Sequence, residues 1–95
     1  VSGIYVGPSD LAFSMGKTPA LDTEDSEQLG MYDKVLAACH KRGIYPGIHC
    51  GAPAYAARMI KMGFRLTTIA NDSGLMAKAA REAVAGVWAE VGNFR

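Results

Sequence analysis

Three short segments of this 95-residue chain carry side chains able to do chemistry. The first is Gly7-Pro8-Ser9-Asp10. Gly7 permits close backbone approach to a ligand or an unusual dihedral, and Pro8 stiffens the turn. Consecutive amides at Ser9 and Asp10 can point one way and form a small anion site. Asp10 adds one hard oxygen of the kind that Mg2+ or Mn2+ accepts. A divalent cation beside two amide donors is a cradle for an α-keto acid: the amides take the carboxylate, the cation the carboxylate and keto oxygens. The competing reading is structural, with Asp10 only capping a turn or short helix.

The second segment is His49-Cys50-Gly51. A histidine at the carboxyl end of a strand can face a site and touch substrate. With no second histidine at ligand spacing, the same residue can equally be packed or hydrogen-bonded, and a role as metal ligand is disfavoured. Cys50 could be an exposed thiol, but no base accompanies it to make a nucleophile. The third segment is Ala70-Asn71-Asp72-Ser73, which offers three consecutive helix N-cap candidates, Asp72 foremost. His40 falls late in a helix and reads as a surface residue.

These segments matter because of where the elements place them. Ile4-Tyr5-Val6 is a β-rich apolar run closed by Gly7-Pro8, which predicts a buried strand. A loop follows through Gly16, Pro19 and Asp22. Acids at Glu24, Asp25 and Glu27 then open a helix whose face is Leu29, Tyr32, Leu36 and Cys39, with Gly43 as its stop. Ile44 to Cys50 predicts a second strand, weakened by Pro46. Pro53 starts a second helix with Ala56, Met59 and Ile60 as its buried stripe and Gly63 as its end. Phe64 to Ala70 is a β-branched run. A long Ala-rich helix then reaches about Val91, with Met76, Ala79, Ala80, Ala83 and Val87 on one face and Trp88 and Phe94 near its end. Alternation of this kind means parallel strands with right-handed crossovers, and sites in such folds form at the carboxyl ends of the strands. All three chemical segments lie there.

Composition bounds the partners. Ten Lys+Arg against nine Asp+Glu give a net charge of +1, so nothing points to nucleic acid or an anionic membrane. Apolar residues are 49% and charged residues 20%, a globular balance with no membrane-length apolar run. Two cysteines do not make a disulfide scaffold, so a reducing cytoplasm is expected. The chain opens almost inside a strand, as a piece of a longer protein would. A (β/α)8 barrel takes about 250 residues, roughly 31 per unit. Three units therefore match this length, and a three-stranded parallel sheet leaves two open edges and a bare face. The arithmetic favours a barrel portion over a self-sufficient α/β layer domain, with residues 1–95 as one domain.

Gly3-Ile4-Tyr5-Val6-Gly7-Pro8-Ser9-Asp10-Leu11-Ala12 with Ser14-Met15-Gly16 resembles the signature of the HpcH/HpaI aldolase family, metal-dependent class II pyruvate aldolases. The resemblance continues in order through Gly47-Ile48-His49-Cys50, Ala56-Ala57-Arg58, Gly63-Phe64-Arg65 and Asn71-Asp72-Ser73-Gly74-Leu75. It implies an α/β chain forming the C-terminal (βα)3 portion of a TIM (β/α)8 barrel of the pyruvate/phosphoenolpyruvate type. It implies Asp10 as a ligand of Mg2+, Mn2+ or Co2+. It further implies that the amides of Ser9 and Asp10 hold the pyruvate carboxylate, with Gly7 lining the pocket, and His49 is carried as a substrate contact. The family's glutamate ligand, catalytic histidine and substrate-binding arginine have no counterpart here, so this portion holds no complete catalytic set and is expected to be inactive alone. The reaction implied is cleavage or formation of a 4-hydroxy-2-keto acid, giving pyruvate and an aldehyde through an enolate; citrate-lyase-like lyases share that logic. A Schiff-base mechanism needs a strand lysine, and no expected strand carries one. A homo-oligomer that exchanges the last helix is also expected. The alternatives from other classes are a non-catalytic α/β anion-binding module and an assembly element.

Overall fold

A computed structural model describes residues 2–92. Strand β1 (Gly3–Val6) is followed by a short helix α1 (Pro8–Ser14) and a long helix α2 (Ser26–Arg42). Then come β2 (Tyr45–Cys50), α3 (Pro53–Met62), β3 (Leu66–Ile69) and α4 (Asp72–Val91). The strands form one parallel sheet in the order β1-β2-β3. Helix α1 departs from expectation, because a loop was anticipated between Gly7 and Asp22. Pro8 at its first turn supplies the fixed φ that starts it.

Register and alternation split the sheet into two faces. Val6 pairs with Ile48, which pairs with Thr67, and Cys50 pairs with Ile69. That face carries the core. Val6, Ile48 and Cys50 pack with Tyr32 of α2, with Tyr55, Ala56 and Met59 of α3, and with Phe64. Tyr32 and Phe64 meet edge to face, centroids 6.0 Å apart. Fully burying side chains such as Ile48 and Met59 stabilises by roughly 1.5–3 kcal/mol each. The opposite face holds Tyr5, Gly47 and Leu66 in one row and His49 and Thr68 in the next, and among the described residues no helix covers it. Tyr5 is 51% exposed and Leu66 58%. The expectation of a buried first strand is thus corrected: only Val6 is buried there, since Tyr5 lies on the bare side and Ile4, on Val6's side of an edge strand, is 43% exposed.

Local signals were otherwise followed closely. Asp25 caps α2, its side chain accepting from Gln28 N, and Gly43 stops that helix at φ 66°. In α3 the buried stripe is Tyr55, Ala56 and Met59; Ile60 is exposed, because the aromatic ring takes the core side. Helix α4 buries no residue along its length and carries exposed Leu75, Met76, Val84, Val87 and Trp88. Its apolar positions therefore pack on nothing within the described residues. Phe94 lies outside them. No helix is long and apolar enough to cross a membrane, among the described residues.

Candidate functional site

The carboxyl ends of β1 and β2 bring the first two chemical segments together. Gly7 is the N-cap of α1 and contributes no side-chain cap. The first backbone bond of that helix runs from Leu11 N–H to the Gly7 carbonyl at 2.9 Å. The amides of Ser9 and Asp10 therefore lie ahead of any intrahelical partner. Both residues are exposed, whereas Gly7 is half-buried and Pro8 buried. Asp10 folds back over Gly7: a Cβ built on Gly7 would stand 3.2 Å from its Oδ2. The absent side chain at Gly7 thus leaves the space that the carboxylate occupies. Two exposed residues whose amides lack helical partners, with one carboxylate beside them, can bind an anion and a neighbouring cation.

The turn is held from behind by a residue that sequence reasoning passed over. Gln28 is buried, and its Nε2 donates to the Pro8 carbonyl at 2.9 Å and to the Tyr32 hydroxyl at 3.1 Å. Burial pushes the Tyr32 phenol above its ordinary pKa, partly offset by that Gln28 bond. Its place one turn before Tyr32 on the same helical face was the available signal. A second unnoticed support is Asp22, whose Oδ1 and Oδ2 accept from the amides of Gly51 and Ala52 at 2.7 and 2.8 Å. Those amides precede α3, whose own N-cap, Ala52, has no capping side chain. The Tyr55 hydroxyl adds a bond to the Thr23 carbonyl at 2.6 Å, and Arg58 pairs with Glu24. The loop between α1 and α2 is thereby fastened to α3.

His49 follows Ile48, the partner of Val6, so it stands level with Gly7 on the uncovered face. It is half-buried. Its Nδ1 lies 2.8 Å from Thr68 Oγ1, and the Tyr5 hydroxyl is hydrogen-bonded to the same Thr68 oxygen. Tyr5 and Thr68 were not anticipated, although period-two alternation places both on His49's face. Cys50 is corrected from an exposed thiol to a core residue: it is fully buried, and burial, with Asp22 nearby, raises its pKa. Cys39 is buried as expected, and His40 is exposed. The cap of α4 is Asn71, which accepts from Gly74 N at 2.7 Å. Asp72 is the first helical residue instead, its Oδ1 accepting from Ser73 N. None of the three strands carries lysine.

For a divalent cation the turn offers one carboxylate. Asp10 supplies the hard oxygen such an ion favours, and no ion pair among the described residues ties it up. In kind the residue fits. In number it does not suffice, because no group of three or more His, Cys, Asp or Glu capable of holding a metal exists among the described residues.

No protein-family model matches the chain. It is 34% identical over 85 residues to a hydroxypyruvate/pyruvate aldolase of Rhizorhabdus wittichii, covering 90% of this chain and 34% of that protein. A second hydroxypyruvate/pyruvate aldolase, from Paraburkholderia phytofirmans, is 32% identical over 84 residues, covering 88% of the chain and 32% of the relative. The fold superposes on an HpcH/HpaI aldolase/citrate lyase family protein from Burkholderia cenocepacia J2315 with a TM-score of 0.84 at 32% identity, covering 92% of this chain and 33% of that one. It superposes on an HpcH/HpaI aldolase from Desulfitobacterium hafniense DCB-2 with a TM-score of 0.85 over 100% of this chain and 36% of the other, a likeness of fold at 22% identity. The chain spans about a third of the length of the curated relatives it matches. Its three parallel strands with their helices are therefore a portion of a TIM-barrel type α/β fold.

Proposed function

Because the chain matches HpcH/HpaI aldolase-family proteins in sequence and in fold, we propose that it supplies one rim of the active site of a carbon–carbon lyase. The reaction is the cleavage or formation of a 4-hydroxy-2-keto acid, with pyruvate and an aldehyde as the other side of the equilibrium. The chain is then the C-terminal part of a barrel, and its bare sheet face lines the interior of that barrel. The observation that carries the reading is the Gly7–Asp10 turn, with two amides free of helical partners and a carboxylate at the end of a parallel strand.

In this reading the Ser9 and Asp10 amides hold the substrate carboxylate in one orientation. Gly7 lines the same pocket and leaves room for the Asp10 carboxylate, and His49 contacts substrate from the neighbouring strand. Gln28 keeps the turn from shifting by fixing the Pro8 carbonyl. Asp10 is the residue here that would hold a divalent cation (Mg2+, Mn2+ or Co2+), and its further ligands belong outside this chain. Such an ion, when bound, polarises a keto oxygen as a Lewis acid. A lone carboxylate holds such an ion weakly, so the 95 residues by themselves are inactive.

The test is retro-aldol release of pyruvate by the intact protein supplied with Mg2+, Mn2+ or Co2+. Asp10→Ala is expected to lower turnover on the order of 100-fold, the scale of losing one group that stabilises developing charge, with little change in thermal unfolding. Undiminished release by that variant would sink the reading. Anion binding without turnover in the intact protein would favour a non-catalytic module instead. A thioester substrate, as for citrate-lyase-like enzymes, is the remaining lyase possibility to assay.

Helix α4 supports a second proposal about assembly. A 20-residue helix with no buried residue and exposed Trp88, Val84 and Val87 belongs against another surface. We place it on a neighbouring copy in a homo-oligomer. Two buried, unpaired thiols suit a reducing cytoplasm.

A further inference from the structure

On the uncovered sheet face His49 is joined in a hydrogen-bonded trio by two residues, Tyr5 and Thr68, that the aldolase reading does not use. Tyr5 on β1 reaches over Gly47 on β2 to the Thr68 hydroxyl on β3, and Thr68 Oγ1 lies 2.8 Å from His49 Nδ1. A Cβ at Gly47 would stand 3.3 Å from Tyr5 Cδ1, so the glycine is what lets the phenol cross the central strand. A phenol is a good donor, and its oxygen, conjugated with the ring, is a poor acceptor. With Tyr5 donating to Thr68 Oγ1, the single proton of the Thr68 hydroxyl is left to be given to His49 Nδ1. A neutral imidazole with Nδ1 as acceptor carries its proton on Nε2.

We propose that Tyr5 and Thr68 are positioning residues that fix His49 as the Nε2–H tautomer. The proton so placed donates to a hydroxyl oxygen on the aldehyde half of the substrate. The enzyme would then prefer aldehydes with a hydroxyl next to the carbonyl. This proposal rests on the aldolase reading for its substrate and on the trio alone for its tautomer. His49 and Gly7 each follow a member of the Val6–Ile48 pair, so the imidazole and the turn that takes the keto acid lie at the same end of adjacent strands.

The test uses the intact protein labelled with 15N at histidine. Long-range 1H–15N spectra at neutral pH are expected to show His49 with an unprotonated Nδ1 and a protonated Nε2. Thr68→Val is expected to give a mixture of tautomers, and Thr68→Ser to restore the single one. In aldol addition, the preference in KM for glycolaldehyde over acetaldehyde is expected to fall about tenfold in Thr68→Val, the scale of one net hydrogen bond, and to return in Thr68→Ser. A wild-type His49 protonated at Nδ1 overturns the relay. An unchanged aldehyde preference in Thr68→Val overturns the substrate contact. Absence of turnover with every aldehyde defeats the aldolase reading, while the spectra still decide the tautomer.

Discussion

Tyr5 and Thr68 stand on the two outer strands and join hydroxyl to hydroxyl across Gly47 of the central one. An added methyl group at Gly47 would meet Tyr5 Cδ1 and the Leu66 carbonyl oxygen, both at 3.3 Å. Neither yields readily, since the ring is tethered at its hydroxyl and the carbonyl belongs to strand backbone. Gly47→Ala is expected to cost about 1–2 kcal/mol by overpacking and to part Tyr5 from Thr68. Denaturant titration of the intact protein measures the loss. Tyr5→Phe, which keeps the ring and drops the hydroxyl, separates crowding from the lost hydrogen bond. A midpoint unmoved in Gly47→Ala would mean that the sheet opens at no cost.

Gln28 connects a buried amide to the turn that bears Ser9 and Asp10. Gln28→Leu is similar in volume but removes the side-chain donor to the Pro8 carbonyl and to the buried Tyr32 hydroxyl, an expected penalty of about 1–2 kcal/mol. In the intact protein a displaced turn would raise KM for the keto acid more than it lowers kcat, because binding is what the turn performs. Steady-state kinetics with pyruvate as the varied substrate distinguish the two. A change confined to kcat would place Gln28 elsewhere in the mechanism.

Much of this arrangement could be read from local signals, and the remainder could not for physical reasons. Gly43, Pro53, Gly63 and the acids ahead of Gln28 act on their own backbone, so they report helix ends without knowledge of the fold. That the strands are parallel follows from alternation, whereas their sequential order β1-β2-β3 is not fixed by it, since open α/β sheets alternate in the same way with other orders. The Asp22 bonds to Gly51 and Ala52 span about thirty positions and exist only once the sheet has formed. Exposure of Tyr5 and Leu66 likewise depends on what covers the sheet, which no period-two pattern reports. The Gly7–Asp10 turn was legible as chemistry, whereas the Gln28 support and the Tyr5–Thr68–His49 chain appear only when the strands are in register.

Asp22 holds α3 to the loop from a distant part of the chain, and its residue type is matched to a backbone φ of 52°, which Asp tolerates better than most side chains. Asp22→Ala removes two acceptors from adjacent amides and keeps the awkward backbone. The expected loss is about 2–3 kcal/mol, with hydrogen exchange at Gly51 and Ala52 rising first. Asp22→Asn retains one good acceptor and is expected to lose about half as much on the same scale. Equal losses in the two variants would show that the charge, not the acceptor count, carries the contact.

Asp25 gives the fold a pH dependence whose sign can be worked out. The Gln28 amide, which it accepts as the cap of α2, is the main cause of a carboxyl pKa below the usual aspartate range, with Lys17 assisting. A depressed folded value means that its stabilisation is fully present above the unfolded pKa, about 4. It is lost as pH falls from there through the lower folded value. Asp25→Asn keeps a competent N-cap but cannot titrate. Thermal unfolding midpoints of the two proteins are expected to differ at pH 7 and to converge as the pH is lowered below about 4. A constant difference down to the acid end would show that Asp25 titrates as it does in the unfolded chain, and that the cap rests on shape alone.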